Sequence, residues 1–567
     1  MKKTIFYIAS LLLFASCMTD GNFLEYDESS VYNIEAIKSN FDRTNQFVAN
    51  IYSYLPDDFY SVDASAMRSS ACDEGEYVWP TNRIHIMTNG QWSPRKTADD
   101  LWATFYTGIR AANLYLEKLN SSTFDYLQYD EDYTKYMKRY RNFEYEVRFL
   151  RAFYHFELLK RYGDIPIETT TLTDAQANTL TRTPFDEVVK FIVDECDSIK
   201  EKLPPVYDAN FQNEISRISK AAAYALKSRV LLYAASPLHN PANDQSKWIA
   251  AADAAADILR AMDRKEPGFM TAVLPFYELI LSGTNYTQAE VILATRAGQS
   301  GTLERNNFPI GVEGGNSGNC PTHNLVEKYG MQSGKVFDET KPWTNRDPRL
   351  GKVVLLNGER FAYNAITEIW EGGLNGLPKI GATKTGYYLR KFLIGDTNFK
   401  PSQGATFSHA FVLFRYAEIY LNYAEAMNEA YGPNTNPDPA RYPKTAIEAA
   451  NVVRGRRGLL IPTYTAGDFN QASFQAELRD ERWREFAFED HRFWDIRRWK
   501  IGNETQRDIK RLRIQLDPAD PRGRTYIYTV VEDKDARVWD DKMYLYPIPQ
   551  SEIDKNPNLR PNNPGWE

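Results

Sequence analysis

The stretch LRDERWREFAFEDHRFWDIRRWK, Leu478 to Lys500, decides how this 567-residue chain is read. It is dense in charge, yet it carries Trp483, Phe486, Phe488, Phe493, Trp494, Ile496 and Trp499. A solvated helix has no use for so many large aromatics, and an apolar core helix would not keep so many ions. Glu481, Glu485 and Glu489 recur every four residues and so line one helical edge, with Arg482 and Arg492 placed to reach nearby carboxylates. Buried ions must be paired, which predicts an Arg–Glu network clamping the segment into a helical body. Asp490 marks a stop, because a short polar side chain tolerates the left-handed conformation. A second short helix, His491 to Trp499, follows at an angle.

Working outward, the spacing of apolar residues predicts helices over Asp99–Leu119, Glu144–Tyr162, Pro184–Leu203, Ser219–Ala235, Lys247–Met262, Phe411–Ala430 and Lys444–Arg457. Ala222, Ala223 and Ala225 in one, and Ala417, Ala424 and Ala426 in another, are small residues suited to close helix packing. The pattern resembles tetratricopeptide-type hairpins without a strict repeat, and such hairpins must stack to bury their faces. The fold class expected is mainly α: a curved scaffold of helical hairpins with long loop excursions and a Pro-rich extended C-terminal tail.

At the other end, MKKTIFYIASLLLFASC has a basic start and an apolar run too short to span a bilayer. Small residues before Cys17 resemble a lipobox, which predicts a signal peptide over 1–16, acylation of Cys17 and a tether over 17–40. Cys72, Cys196 and Cys320 are isolated and lack metal-ligand spacing, so burial is expected for each and no metal is assigned. The net charge of −7 gives no electrostatic footprint for nucleic acid.

Several segments resemble the SusD/RagB family of surface lipoproteins that capture nutrients for an outer-membrane transporter. Glu481, Arg482, Glu485, Phe486, Phe488, Glu489, Arg492, Asp495, Ile496, Arg497, Arg498 and Trp499 match its C-terminal signature, with Asp490 where Gly is usual. VRFLRAFYHFELLKRYGDIPI (147–167), SKAAAYALKSRVLLYAAS (219–236), FRYAEIYLNYAEAMNEA (414–430) and the tail LYPIPQSEIDKNPNLRPNNPGW (545–566) look like its other helices and its ending. The resemblance implies a body over 41–567, divided into 41–297, a loop excursion over 298–404, and the signature part 405–567. It implies a non-catalytic protein, anchored through Cys17 in the outer membrane and facing the exterior. Such a protein hands an oligosaccharide to a SusC-like TonB-dependent transporter and needs no cofactor. Some relatives serve peptide transporters, so a peptide ligand is the alternative.

Two regions are neither helix nor tail. The first is CDEGEYVWPTNRIHIMTNGQWSP, Cys72 to Pro94. Flat aromatic faces such as Trp79 stack on the C–H faces of sugars while Asp, Asn and Arg bond the hydroxyls. By resemblance Asp73, Arg83 and Trp92 are the ligand-binding candidates here. The second is the excursion 298–404, rich in Gly and Asn; loops this long are usually functional when ordered. Phe308, Trp343 and Trp370 are its candidates for exposed aromatics, while Leu325, Val326 and Tyr329 read as a structural anchor.

A glycosidase would need two carboxylates facing a sugar. The acidic residues of the signature alternate with Arg and aromatics that bury and pair them, which suits no acid catalyst. There is no His-Glu-x-x-His, Gly-x-Ser-x-Gly or Walker motif. No catalytic residue is therefore assigned.

Overall fold

The computed structural model describes residues 34–567 except 61, 207–213, 215, 271–272, 274–288, 297 and 396–405. The signal peptide, Cys17, most of the tether and the end of the excursion lie outside the described residues.

The longer helices are α1 (Phe41–Tyr52), α2 (Trp102–Leu114), α3 (Tyr133–Tyr162), α4 (Phe185–Ile199), α5 (Lys220–Ala235), α6 (Gln245–Asp263), α7 (Tyr416–Tyr431), α8 (Ala446–Arg454), α9 (Gln471–Phe486) and α10 (Arg492–Trp499). From α2 onward each packs on the next through α8, and α9 packs on α7. The architecture is mainly α, as the hairpin reading expects. Alanines make the close approach possible: Ala222, Ala223 and Ala225 of α5 and Ala417, Ala424 and Ala426 of α7 are fully buried.

Helix ends follow local chemistry. α3 starts earlier than its predicted Glu144 because Tyr133–Phe143 holds no Gly or Pro to break it, and it ends at Gly163 with φ 69°. The span predicted as one helix over 99–119 is α2 followed by a π-helical turn at Tyr115–Leu119. Thr445 and Glu448 form a capping box at the start of α8. The predicted start of α7 at Phe411 is instead a strand, Val412–Arg415, paired antiparallel with Val291–Ala294.

Strands are few and short. β1 (Gly75–Tyr77) pairs antiparallel with β2 (Asn319–Pro321), and β3 (Ile509–Leu516) with β4 (Tyr526–Asp533) in a hairpin. The tail is not wholly extended, since Gln550–Lys555 forms a helical turn. It lies over the end of α3: Tyr546 N–H donates to the Arg161 carbonyl at 2.7 Å, and Asn563 Nδ2 to that of Tyr162 at 2.8 Å.

Asp490 stands at φ 60° between α9 and α10, the left-handed stop its chemistry predicts. The carboxylate edge of this pair is buried and fully paired. Glu481 meets Arg349, Arg454 and Arg484 at 2.7–2.8 Å. Glu485 meets Arg349, Arg415 and Arg456 at 2.7–3.0 Å, and Glu489 meets Arg415 and Lys391 at 2.6–2.7 Å. Burial opposes ionisation of Glu485, but Arg456, Arg415 and Arg349 outweigh it and hold the carboxyl down at about 2. Arg482 and Arg492 are not the partners of this edge. Arg482 pairs with Asp495 at 3.1 Å and Arg492 with Asp73 at 2.6 Å, because both leave the helices on other faces. Apart from Arg484 of α9 itself, the clamp therefore draws its cations from the excursion, from α8 and the turn after it, and from the strand before α7.

Candidate ligand-binding site

The segment 72–94 is held from below by the signature helices. Arg492 donates to both oxygens of Asp73, at 2.9 and 2.6 Å, while its guanidinium lies 3.8 Å over the Trp483 ring. Arg537 donates to the carbonyls of Ser70, Cys72 and Gly75. Arg68 forks onto Asp490 at 2.7 and 2.8 Å and also pairs with Asp58 and Asp99. Each contact satisfies a charge or carbonyl that burial would otherwise leave costly.

From above, the β1–β2 pair joins this segment to the excursion, with Gly75 opposite Pro321 and Tyr77 opposite Asn319. Asn319 is buried and bonds Met67 N–H, Ser70 Oγ, Ser65 O and Asn307 Oδ1. Thr322 donates through Oγ1 to the Asp73 carbonyl and through N–H to that of Glu74. Two stretches that are far apart in sequence thus become one surface.

The sequence candidates divide on this surface. Three are corrected to interior positions. Asp73 is 2% exposed, its carboxylate consumed by Arg492. Trp92 is 3% exposed, edge-on to Tyr546 at 4.8 Å and tilted against Trp566 at 5.4 Å, because the tail closes over it. Phe308 is fully buried against Phe361 at 5.6 Å, so it is not an exposed aromatic. Leu325, Val326 and Tyr329 are buried, as expected of an anchor.

The other four reach the surface. Trp79 is half-buried, donates Nε1 to the Asn316 carbonyl at 2.7 Å, and packs on Gly381, where a Cβ would stand 2.7 Å from its ring. Trp370 is half-buried beside Gly372. Trp343, also half-buried, meets Tyr387 and Tyr528 edge-on at 5.7 and 5.8 Å. Arg83 is exposed, 3.6 Å from Asp63, and donates one Nη to the Thr97 carbonyl at 3.2 Å, so only part of its guanidinium is left to solvent.

The aliphatic rim beside these rings was not anticipated. Ile366, Leu374, Leu377 and Ile380 are exposed, Ile380 at 84%. Pro309, Val312, Ile366 and Leu374 line a cavity of about 180 Å³ between two arms of the excursion. Gly311 N–H donates to Asn375 Oδ1 at 2.7 Å and pins the arms together; a Cβ there would meet that oxygen at 2.2 Å. Exposed Glu313 and Lys379 supply polar groups nearby. The signal was available in GLNGLPKIGA, where aliphatics sit alone among turn residues. Exposed aliphatics grouped with few polar residues make this surface a candidate binding face.

The SusD family model matches residues 289–566, and a family model described as starch-binding and associating with the outer membrane matches 23–232. The chain belongs to the SusD/RagB family. SusD-like proteins P25 and P2 of Formosa agariphila are 22% and 26% identical to it. They align over 97% and 74% of this chain and 97% and 73% of their own. A SusD-like protein of Bacteroides fragilis superposes with TM-score 0.75 at 25% identity, covering 94% of this chain and 98% of that one. A laminarin-binding SusD-like protein shares the fold, with TM-score 0.63 at 19% identity over 93% and 99% of the two chains. In this SusD-family chain the signature helices reach the candidate surface at one remove. They fix the 72–94 segment, and that segment pairs with the excursion that carries the half-buried rings Trp343 and Trp370.

Proposed function

We propose that this SusD-family protein is a surface lipoprotein, anchored through Cys17, that holds an oligosaccharide without catalysing its cleavage. It passes the ligand to a SusC-like TonB-dependent transporter in the outer membrane. The observation that carries the reading is the pair of half-buried rings, Trp79 against Gly381 and Trp370 against Gly372, beside the exposed aliphatic rim. Such rings offer stacking platforms for sugar C–H faces, and Arg83, Glu313 and Lys379 offer hydroxyl partners. Trp343 extends the aromatic surface toward the β3–β4 hairpin. The Glu481 and Glu485 carboxylates of the signature are ion-paired and held ionised, so neither suits the delivery of a proton to a glycosidic oxygen.

A peptide is the second reading, favoured by the exposed side chains of Leu374, Leu377 and Ile380, which suit apolar residues better than a sugar's hydroxyls. Calorimetry of the protein against a panel of oligosaccharides and peptides separates the two. A heat signal with one glycan class that is lost in Trp370→Ala supports the first reading. Binding confined to apolar peptides replaces it with the second.

A further inference from the structure

A second cavity lies behind the same segment, between residues 76–89 and the open end of the β3–β4 hairpin, and has a volume of about 580 Å³. That is within the range of roughly 300–1,000 Å³ usual for small-molecule sites. Its lining is the chemical opposite of the apolar rim: among the described residues no ring borders it except the imidazole of His85. The charged groups around it balance, with Glu76, Glu532 and Asp533 against Arg511, Lys534 and Arg537. All three cations are already engaged. Arg511 pairs with Asp533 across the hairpin, Lys534 lies 3.9 Å from Glu532 in a long, exposed pair, and Arg537 spends its donors on the Ser70, Cys72 and Gly75 carbonyls.

The acceptors are the groups left over. Among the described residues the half-buried Glu76 carboxylate has no hydrogen bond or ion pair of its own, although its charge is felt by Arg537 and His85. His85 Nε2 lies 3.1 Å from the Trp79 carbonyl, and since a carbonyl only accepts, Nε2 carries the proton. Nδ1 is then a bare acceptor, and burial lowers the pKa of the ring so that it stays neutral.

We infer that this cavity is a second binding site, specific for a short neutral polyol such as a monosaccharide. A hydroxyl both donates and accepts, so a neutral polyol answers free acceptors without disturbing a balanced set of charges. An anion or a cation would leave one charge uncompensated in a recessed site. The site uses none of the rim residues and so stands or falls apart from the proposed oligosaccharide face.

The test is a titration of the full-length protein in detergent with glucose, glucosamine and glucuronate, followed by saturation-transfer NMR. It is run on wild type, Trp370→Ala, Glu76→Gln and Glu532→Gln, with circular dichroism to confirm folding. Glu532 is exposed, so its variant serves if Glu76→Gln does not fold. Glucose binding that persists in Trp370→Ala, weakens at least about tenfold in the Glu variants and exceeds that of both charged sugars is the expected result. Binding lost in Trp370→Ala but untouched by the Glu variants places the sugar on the rim and overturns the second site. Tighter binding of glucosamine or glucuronate overturns its neutral specificity. No glucose binding in wild type overturns the site, while longer oligosaccharides can still bind the rim.

Discussion

The clamp around α9 and the rim around Trp370 draw on the same alphabet, aromatics mixed with charge and small turn residues, and they do opposite things with it. In the clamp, Glu481, Glu485 and Glu489 each meet two or three cations, and Phe486 and Phe488 are buried among them. Every charge is answered from within the chain. In the rim, Ile366, Leu374, Leu377 and Ile380 face solvent, and Gly311, Gly372 and Gly381 bring backbone against side chain so that rings and aliphatics stay on show. The difference teaches that composition does not separate scaffold from site. What separates them is whether the partners of each group are found inside the molecule.

Four variants would break or sharpen this contrast. Glu485→Ala leaves Arg349, Arg415 and Arg456 short of a carboxylate in the interior, so it is expected to cost about 3–5 kcal/mol. Denaturant titration checks it, and a midpoint equal to wild type would show that the network is ornamental.

The two tryptophans come next. Trp92→Ala should lower stability by about 3–5 kcal/mol while leaving the rim intact, because its ring fills space under Tyr546 and Trp566. Trp370→Ala should leave the thermal midpoint within about 1 °C and weaken ligand binding by tenfold or more. If the two variants exchange phenotypes, scaffold and site have been assigned the wrong way round.

The smallest effect is a pH dependence. Burial pushes the Glu74 carboxyl up to about 8, and its Oε1 has no hydrogen-bond partner. The folded state therefore binds a proton that the unfolded state releases above its ordinary value of 4.5. Stability from this group is full below 4.5 and is lost as pH rises through 8. Glu485, held at about 2, works in the other direction: its contribution is present above 4.5 and is lost as pH falls through 2. Glu74→Gln should match wild type near pH 5 and gain about 2 °C or more on it at pH 9, by differential scanning fluorimetry. Parallel curves at all pH values would refute the neutral carboxyl.

Much of the scaffold was legible because it is local. The four-residue spacing of Glu481, Glu485 and Glu489, the stop at Asp490 and the alanines of α5 and α7 are all set within a turn or two of helix. The identity of the partners was not legible, since Arg349, Arg415 and Arg456 reach α9 only through the folded chain. For the same reason Trp92 and Phe308 looked like surface rings: the groups that cover Trp92, Tyr546 and Trp566, lie at the far end of the sequence. The rim residues Leu374 and Ile380 carried a signal of their own, isolated aliphatics among glycines, that a search confined to aromatic residues passes over.

The bond between Asp73 and Arg492 spans 419 positions of sequence, and that between Arg537 and the Cys72 carbonyl spans 465. A segment placed early in the chain is thus finished by groups made last. As the polypeptide emerges from a ribosome or an export channel, residues 72–94 can pair with the excursion but lack their Arg492 and Arg537 anchors until the signature helices and the tail follow, and closing so large a loop is slow. The surface around residues 72–94 is therefore among the last parts of the protein to be completed, and a chain cut short before Arg492 is expected to form helices without it.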